Sequence, residues 1–84
     1  MPVPRSRGTR DHQALCDLLR DARQQKSLTQ VEVASRLGRP QSFVSKYETG
    51  ERRLDVIELG EVCGALGLPL TRVVTEWEKR RTAR

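Results

Sequence analysis

The chain has 84 residues and carries 16 Lys and Arg against 11 Asp and Glu, which gives a net charge of +5 and a mean hydropathy of −0.64. This length predicts a single domain with a small core, which association with a second copy would help to stabilise. No stretch approaches the roughly 18 apolar residues that cross a bilayer. The basic start lacks an apolar segment, so we expect neither a secretory signal nor a membrane partner.

The apolar side of the first predicted helix consists of Leu15, Leu18, Leu19 and Ala22. Thr9 or Asp11 would cap this helix, which should end near Lys26 or Ser27. A second helix follows the capping-box pattern from Thr29 to Glu32 and turns Val33, Ala34 and Leu37 inward, and Gly38 ends it.

The third predicted helix has Pro40 in its first turn and stops at Thr49-Gly50. Its apolar side consists of Phe43, Val44 and Tyr47. A fourth helix starts at the cap Asp55 and closes at Gly67, and a fifth starts at Pro69. Their predicted inward residues are Ile57, Val62, Cys63 and Leu66 in the fourth helix and Leu70, Val73, Val74 and Trp77 in the fifth. No window alternates with period two, so we predict an all-α fold, a compact five-helix bundle.

Cysteine and histidine content argues against a metal centre. Cys16 and Cys63 lie 47 positions apart and His12 is the only histidine, whereas zinc needs about four clustered ligands. We therefore expect no metal and no cofactor. A disulfide is geometrically possible, but no other feature marks a secreted chain. We expect two half-buried helix cysteines and a reducing cytoplasm.

The basic excess lies at the two ends of the chain. Residues 1–10 carry three Arg and no acid, and residues 77–84 carry four bases and one acid, so the stretch between them keeps 9 bases and 10 acids. We predict a flexible basic arm over residues 1–10, a folded domain over 11–78 and a basic tail over 79–84. Inside the domain, residues 36–53 carry five bases and two acids. This local excess suits either a polyanion or an ordinary solvated face.

Residues 30–49 have the features of two short helices that cross steeply at a tight turn. Such a crossing needs a small residue where the backbones approach, which Ala34 supplies, and a residue that tolerates positive φ at the turn, which Gly38 supplies. Val44 and Tyr47 would hold the second helix on the body. At 100° per residue, the opposite face of that helix contains neither an acid nor a large apolar group. It consists of Gln41, Ser42, Ser45, Lys46 and Thr49.

That polar face has the hydrogen-bonding groups that read nucleic acid. Gln pairs bidentately with adenine, Lys donates to guanine, and Ser serves base edges or phosphates. A face kept only for solubility would usually mix Glu with Lys. The alternative is a merely polar surface.

The pattern resembles the helix-turn-helix of the phage Cro and repressor (XRE-type) family over about residues 13–78. The residues that carry the resemblance are Leu28, Thr29, Gln30, Val33, Ala34, Leu37, Gly38, Gln41, Ser42, Val44, Ser45, Lys46, Glu48 and Gly50. The resemblance implies a lambda-repressor-like DNA-binding domain and a transcriptional regulator, usually a dimer on a palindromic operator. The second helix of the motif would lie in the major groove.

The resemblance also implies roles for single residues. Gln41 and Ser42 match positions that reach base edges, Ser45 and Lys46 match base or phosphate contacts, and Gln30 matches a phosphate ligand at a helix N-terminus. Arg52 and Arg53 lie in the loop beside the backbone and would add affinity without reading sequence. The predicted DNA-binding set is Thr29, Gln30, Arg39, Gln41, Ser42, Ser45, Lys46, Arg52 and Arg53. Phe43 would either contact a thymine methyl or belong partly to the core.

Three further expectations follow from the family pattern. Arg23 and Glu48 match an ion pair that joins the first helix to the end of the recognition helix. Arg39 stands where the family usually has an apolar residue, so it either extends to phosphate or leaves the turn loosely packed. Pro40 stands where a capping Ser or Thr is common, which removes one side-chain cap.

The fifth helix is a candidate dimer interface. Its apolar residues are Leu70, Val73, Val74 and Trp77, and an exposed Trp beside Leu and Val suits a contact between subunits. The alternative is that Trp77 packs on the core of its own chain. A dimer would place the two recognition helices about 34–36 Å apart.

Two questions stay open at this level. Arg5, Arg7 and Arg10 would either contact DNA or form a solubilising tail. The second functional hypothesis is an antitoxin, or another protein-interaction module, that binds a partner protein through its C-terminal segment.

An enzyme is not expected, because none of Ser42, Ser45 and Cys63 has a histidine near it in sequence. We expect no effector-sensing domain in 84 residues.

Overall fold

The computed structural model describes the backbone of residues 5–83 and the side chains of residues 10–83. Every regular element in that part of the chain is an α-helix. The five helices are α1 (Arg5–Gln25), α2 (Gln30–Leu37), α3 (Gln41–Thr49), α4 (Val56–Leu66) and α5 (Leu70–Thr82). The predicted all-α, five-helix class is therefore confirmed.

The helix boundaries follow from local hydrogen bonding. Thr29 and Asp55 each cap a helix by accepting from the backbone N–H three residues later, where Glu32 and Glu58 return a bond to the cap backbone. Gly38 has φ of +65°, and its N–H bonds back to the last turn of α2. Such a left-handed residue is best supplied by glycine, because it has no Cβ.

Two ends differ from the prediction. Helix α1 begins at Arg5, ahead of the predicted caps Thr9 and Asp11, so residues 5–10, which we predicted to be part of a flexible basic arm, are helical. Helix α5 continues to Thr82, where we expected a basic tail from residue 79. Interactions with α1 explain the longer α5, because Arg80 pairs with Asp21.

The core lies where all five helices meet. Helix α1 packs against α3 and α5, α2 against α3 and α4, and α4 against α5. The core residues are Leu18, Leu19, Ala22, Val33, Ala34, Phe43, Val44, Tyr47, Leu59, Val62, Cys63, Leu66 and Val73. The predicted inward position of Ile57 is wrong, because this side chain is 72% exposed and Leu59 takes the inward place. The first turn of α4 extends beyond the core, and periodicity alone does not show where the core begins.

The two cysteines are free thiols and are buried rather than half-buried. Burial raises the pKa of the Cys16 and Cys63 thiols, so both stay neutral near pH 7. Among the side chains that the structure describes, no three His, Cys, Asp or Glu lie close enough together to hold a metal ion. No helix between residues 5 and 83 is long and apolar enough to cross a membrane.

Candidate nucleic-acid interface

Helix α3 has two chemically different faces. Phe43, Val44, Tyr47 and Glu48 are buried on one of them. On the other, Gln41, Ser42, Lys46 and Thr49 are exposed and Ser45 is half-buried. The small Ala34 on α2 is 3% exposed and lies in the core where α2 and α3 pack together. Because α1 and α2 pack against one side of α3, its polar side stays accessible from Gln41 to Thr49.

The start of α3 has no side-chain cap. Pro40 occupies the N-cap position with φ of −68° and ψ of 156°, one residue before the predicted first turn, and offers no side-chain acceptor. The N–H groups of Gln41 and Ser42 therefore receive no side-chain cap, whereas the N–H of Phe43 already donates to the Pro40 carbonyl at 3.0 Å. Donors at a helix N-terminus favour an anion such as a phosphate.

The two glutamines of the motif are joined to each other. Gln41 Nε2 donates to Gln30 Oε1 at 3.0 Å, and Gln30 Nε2 donates to Glu48 Oε1 at 3.0 Å. This chain of hydrogen bonds fixes the orientation of both amides. Sequence reasoning assigned the two side chains separate roles and missed the link between them, since 11 positions separate them.

Arg23 completes this chain of bonds from α1. Its Nε and Nη2 donate to the two carboxylate oxygens of Glu48 at 2.7 and 3.1 Å, and Nη1 donates to the carbonyl of Leu28 at 2.8 Å. The predicted ion pair is thus present. Glu48 is the one buried charged side chain among the described residues. Its bond to Arg23 raises the pKa of that guanidinium, so Arg23 stays charged.

Arg39 and Arg52 each lie over the Phe43 ring. Their guanidinium carbons lie 4.4 and 4.7 Å from the ring centroid, and both side chains approach Glu58. The unusual charge at Arg39 is explained by this contact, because the guanidinium covers an aromatic ring that the turn would otherwise expose. Phe43 is 7% exposed and belongs to the core.

Glu58 was missed as a site residue, since the sequence analysis named only Asp55 at the start of α4. Its carboxylate accepts from Nη1 and Nη2 of Arg52 at 3.1 and 2.8 Å, and Nη2 of Arg39 lies 3.8 Å away. The bonds to Arg52 and to the Asp55 backbone lower the pKa of Glu58 to about 2. The sequence did offer one signal, the basic Arg52 six positions before the acidic Glu58. Helical periodicity could not predict their contact, because Arg52 lies in a loop and Glu58 in a helix.

Three comparisons with known proteins indicate one family. The family model described as Helix-turn-helix matches residues 19–73. The HTH-type transcriptional regulator y4dJ of Sinorhizobium fredii, itself uncharacterised, is 43% identical over 53 residues, which are 63% of this chain and 69% of that protein.

Solved structures agree. An XRE-family like protein from Pseudomonas syringae pv. tomato is 51% identical with a TM-score of 0.77, over 81% of this chain and 83% of that one. The clp gene regulator ClgR from Corynebacterium glutamicum is 27% identical with a TM-score of 0.79, over 87% and 78%. The chain belongs to the XRE-type helix-turn-helix family. In this XRE-type domain, α2 and α3 form the motif.

The remaining predicted DNA ligands of the XRE-type domain lie in two other places. Thr29 is exposed, but its hydroxyl already accepts from the Glu32 backbone. Arg53 is exposed, and its charge lowers the pKa of His12, an effect second to burial. Arg53 lines a cleft with His12, Leu15 and Trp77, on the side of the loop that faces α1. Arg10 is exposed, and the side chains of Arg5 and Arg7 lie outside the described residues.

The predicted dimer residues are mostly engaged within one chain. Val73 is 3% exposed, and Leu70 and Trp77 pack against the core. Trp77 Nε1 donates to the Asp11 carbonyl at 2.9 Å, and Arg81 lies over the indole at 4.9 Å. Trp77 thus packs on its own chain, which was the alternative. Val74 is the most exposed of the four, at 39%.

Proposed function

We propose that this XRE-type domain binds double-stranded DNA with α3 in the major groove and regulates transcription as a repressor. The observation that carries the proposal is the accessible α3 face, which joins Gln41, Ser42, Ser45, Lys46 and Thr49 without an acidic or large apolar side chain. Base edges in the major groove demand such donors and acceptors. Repression follows if the operator overlaps a promoter, because a bound domain blocks access to it.

The bond network supports a division of labour on this surface. Gln41 presents an amide whose direction is set by Gln30, so base reading at this position does not need a new ordering step. Gln30, Arg39, Arg52 and Arg53 would contact phosphates. Such contacts place the domain on the duplex and carry no sequence information. Thr29 would contribute to DNA binding indirectly, because it caps the helix that begins with Gln30.

Palindromic recognition by a homodimer is part of the proposal. In this arrangement two copies bind half-sites about 34–36 Å apart. Among the predicted interface residues, Val74 is the exposed one and would contact the second copy. Leu70, Val73 and Trp77 pack against the core and would hold this part of α5 in place. Sedimentation at micromolar protein concentration tests the dimer, and a monomer both alone and with DNA would refute it.

The alternative function, a protein-interaction module acting through the C-terminal segment, receives less support. In the described residues that segment is helical, and Trp77, Arg80 and Arg81 contact α1. A partner would have to displace these contacts. We accordingly favour DNA as the partner and the cytoplasm as the location, and we propose no catalytic role and no cofactor.

Selection of bound sequences from a random duplex pool tests the proposal. Enrichment of one palindromic sequence is expected. Gln41→Ala and Lys46→Ala should then each reduce discrimination against a changed base pair, at about 1–3 kcal/mol per lost base contact. Gln24→Ala and Lys79→Ala make the same chemical changes at exposed positions outside the motif. Equal discrimination by all four variants and the wild type would contradict the assignment of α3 as the reading helix.

A further inference from the structure

Two arginines assigned to phosphates share one carboxylate in the free protein. Arg52 makes a two-point contact with Glu58 at 2.8 and 3.1 Å, and Arg39 lies 3.8 Å from the same side chain. Both arginines also lie over the Phe43 ring. The cluster therefore joins the turn before α3, α3 itself, the following loop and the first turn of α4.

The cluster keeps donors available to an external anion. A guanidinium has five N–H groups. Arg52 donates from Nη1 and Nη2 to Glu58 and from Nη1 to the Arg53 carbonyl, which leaves the Nε hydrogen and one Nη2 hydrogen. The side chains of Arg39 and Arg52 are 40% and 36% exposed. A phosphate can thus approach both arginines while Glu58 stays in place.

The carboxylate opposes that approach electrostatically. Two guanidinium charges and one carboxylate leave this edge of the domain with a net charge of +1 instead of +2. Because Glu58 touches the arginines directly, its distance to a phosphate bound there is within the Debye length of about 10 Å at 0.1 M salt. Salt therefore does not fully screen the repulsion between the Glu58 carboxylate and that phosphate. Its bonds keep it ionised near neutral pH.

We infer that Glu58 limits the sequence-independent part of DNA binding by holding Arg52 and Arg39 and cancelling one of their charges. The inference rests on the proposed function and adds a regulatory residue to the phosphate-binding edge. It predicts that removal of the Glu58 charge strengthens binding, whereas loss of a purely structural residue would weaken it. The direction of the effect separates the two roles.

Glu58→Gln is the variant that tests this inference. Glutamine also serves at the third position of a capping box, so α4 keeps its cap while the charge is removed. Binding is measured by fluorescence anisotropy with one fixed random-sequence 20-base-pair duplex between 50 and 200 mM KCl. We expect affinity to rise about 3- to 10-fold at 0.1 M salt, and the log–log salt slope to steepen by up to about 0.9.

The control is Glu61→Gln, which makes the same charge change about one turn farther along α4. Glu61 is exposed, and no described Lys or Arg forms an ion pair with it. It should change affinity less than 2-fold. An unchanged or weaker affinity of folded Glu58→Gln, or an equal gain in Glu61→Gln, overturns the inference while leaving the proposed function intact. Absence of salt-dependent duplex binding by the wild type refutes the proposed function itself.

Discussion

Arg23 on α1 and Glu48 on α3 form a two-point ion pair across 25 positions of sequence, with Nε to Oε2 at 2.7 Å and Nη2 to Oε1 at 3.1 Å. The two side chains are 12% and 3% exposed. Glu48 also accepts from Gln30, which accepts from Gln41. The carboxylate that joins α3 to α1 is therefore the last acceptor in a chain of hydrogen bonds that begins on the proposed DNA-reading face.

Breaking this buried pair should destabilise the protein strongly. Arg23→Ala leaves a buried carboxylate with one amide donor, so we expect the free energy of unfolding to fall by about 3–5 kcal/mol. Urea denaturation of Arg23→Ala, Glu48→Gln and the double variant measures the coupling. Arg20→Ala is the control, because its pair with Asp17 is 44% and 39% exposed and should cost at most about 1 kcal/mol. Additive single effects would show that the pair is not coupled.

Gly38 and Gly64 should respond to alanine in opposite directions. An added Cβ meets no atom within 4 Å at either position, but Gly38 has φ of +65° and Gly64 lies inside α4. Gly38→Ala should therefore cost about 1 kcal/mol or more through backbone strain alone. Gly64→Ala should add about 0.5–1 kcal/mol of stability, since alanine has less unfolded-state entropy to lose. Thermal unfolding compares them. A stabilising Gly38→Ala would contradict the αL backbone of Gly38, and a destabilising Gly64→Ala would contradict the open space at Gly64.

Glu58 should contribute an acid-sensitive part of the stability. Its pKa falls from 4.5 to about 2 on folding, because Arg52 and the Asp55 backbone bond the ionised form. Because its pKa is lower in the folded state, ionised Glu58 stabilises the fold above pH 4.5. This contribution to the free energy of unfolding is lost as the pH falls towards 2. The stability difference between wild type and Glu58→Gln should therefore be largest above pH 5 and shrink by pH 3. Urea titrations at the two pH values measure it.

Arg52→Ala supplies the comparison for the acid series. The bond to Arg52 is the largest cause of the lowered pKa of Glu58. Removal of that guanidinium should therefore reduce the loss of stability between pH 5 and pH 3. The same loss in wild type, Glu58→Gln and Arg52→Ala would assign acid sensitivity to other carboxylates.

Trp77 should stabilise one chain rather than an interface. Trp77→Phe removes the Nε1 bond to the Asp11 carbonyl, so the free energy of unfolding should fall by about 0.5–1.5 kcal/mol. Thr75→Ala, at an exposed position on the same helix, should change it by less than about 0.5 kcal/mol. The decisive measurement repeats both melts over a 100-fold range of protein concentration. If the stability lost on Trp77→Phe increases with protein concentration, Trp77 belongs to a dimer interface instead.

Local patterns in the sequence were sufficient for the helices and the motif. The capping box at Thr29, the cap at Asp55 and the left-handed turn at Gly38 depend on residues three or four positions apart, and each is present as predicted. The outward polar face of α3 was also predictable, because 100° of rotation per residue places it on a different side of the helix from Val44. Such features need no knowledge of distant parts of the chain.

Contacts between distant residues were harder to predict. The Arg23–Glu48 pair came from the family resemblance and not from periodicity. The Gln41–Gln30 link, the Arg39–Phe43–Arg52–Glu58 cluster and the docking of Trp77 on Asp11 were all missed. The exposed position of Ile57 was missed for the same reason, because a helix period shows which residues share a side and not where the core stops.

The sequence by itself determined that this chain forms five helices and that a glycine turn sets α3 beside α2 with its polar side outward, since these properties arise from hydrogen bonds and sterics within single turns. Only the tertiary structure decided which charges are neutralised, which amides are oriented and which apolar residues remain accessible. Those outcomes depend on distances between side chains that packing alone brings together, and at these distances a single carboxylate such as Glu58 can hold two arginines from different elements.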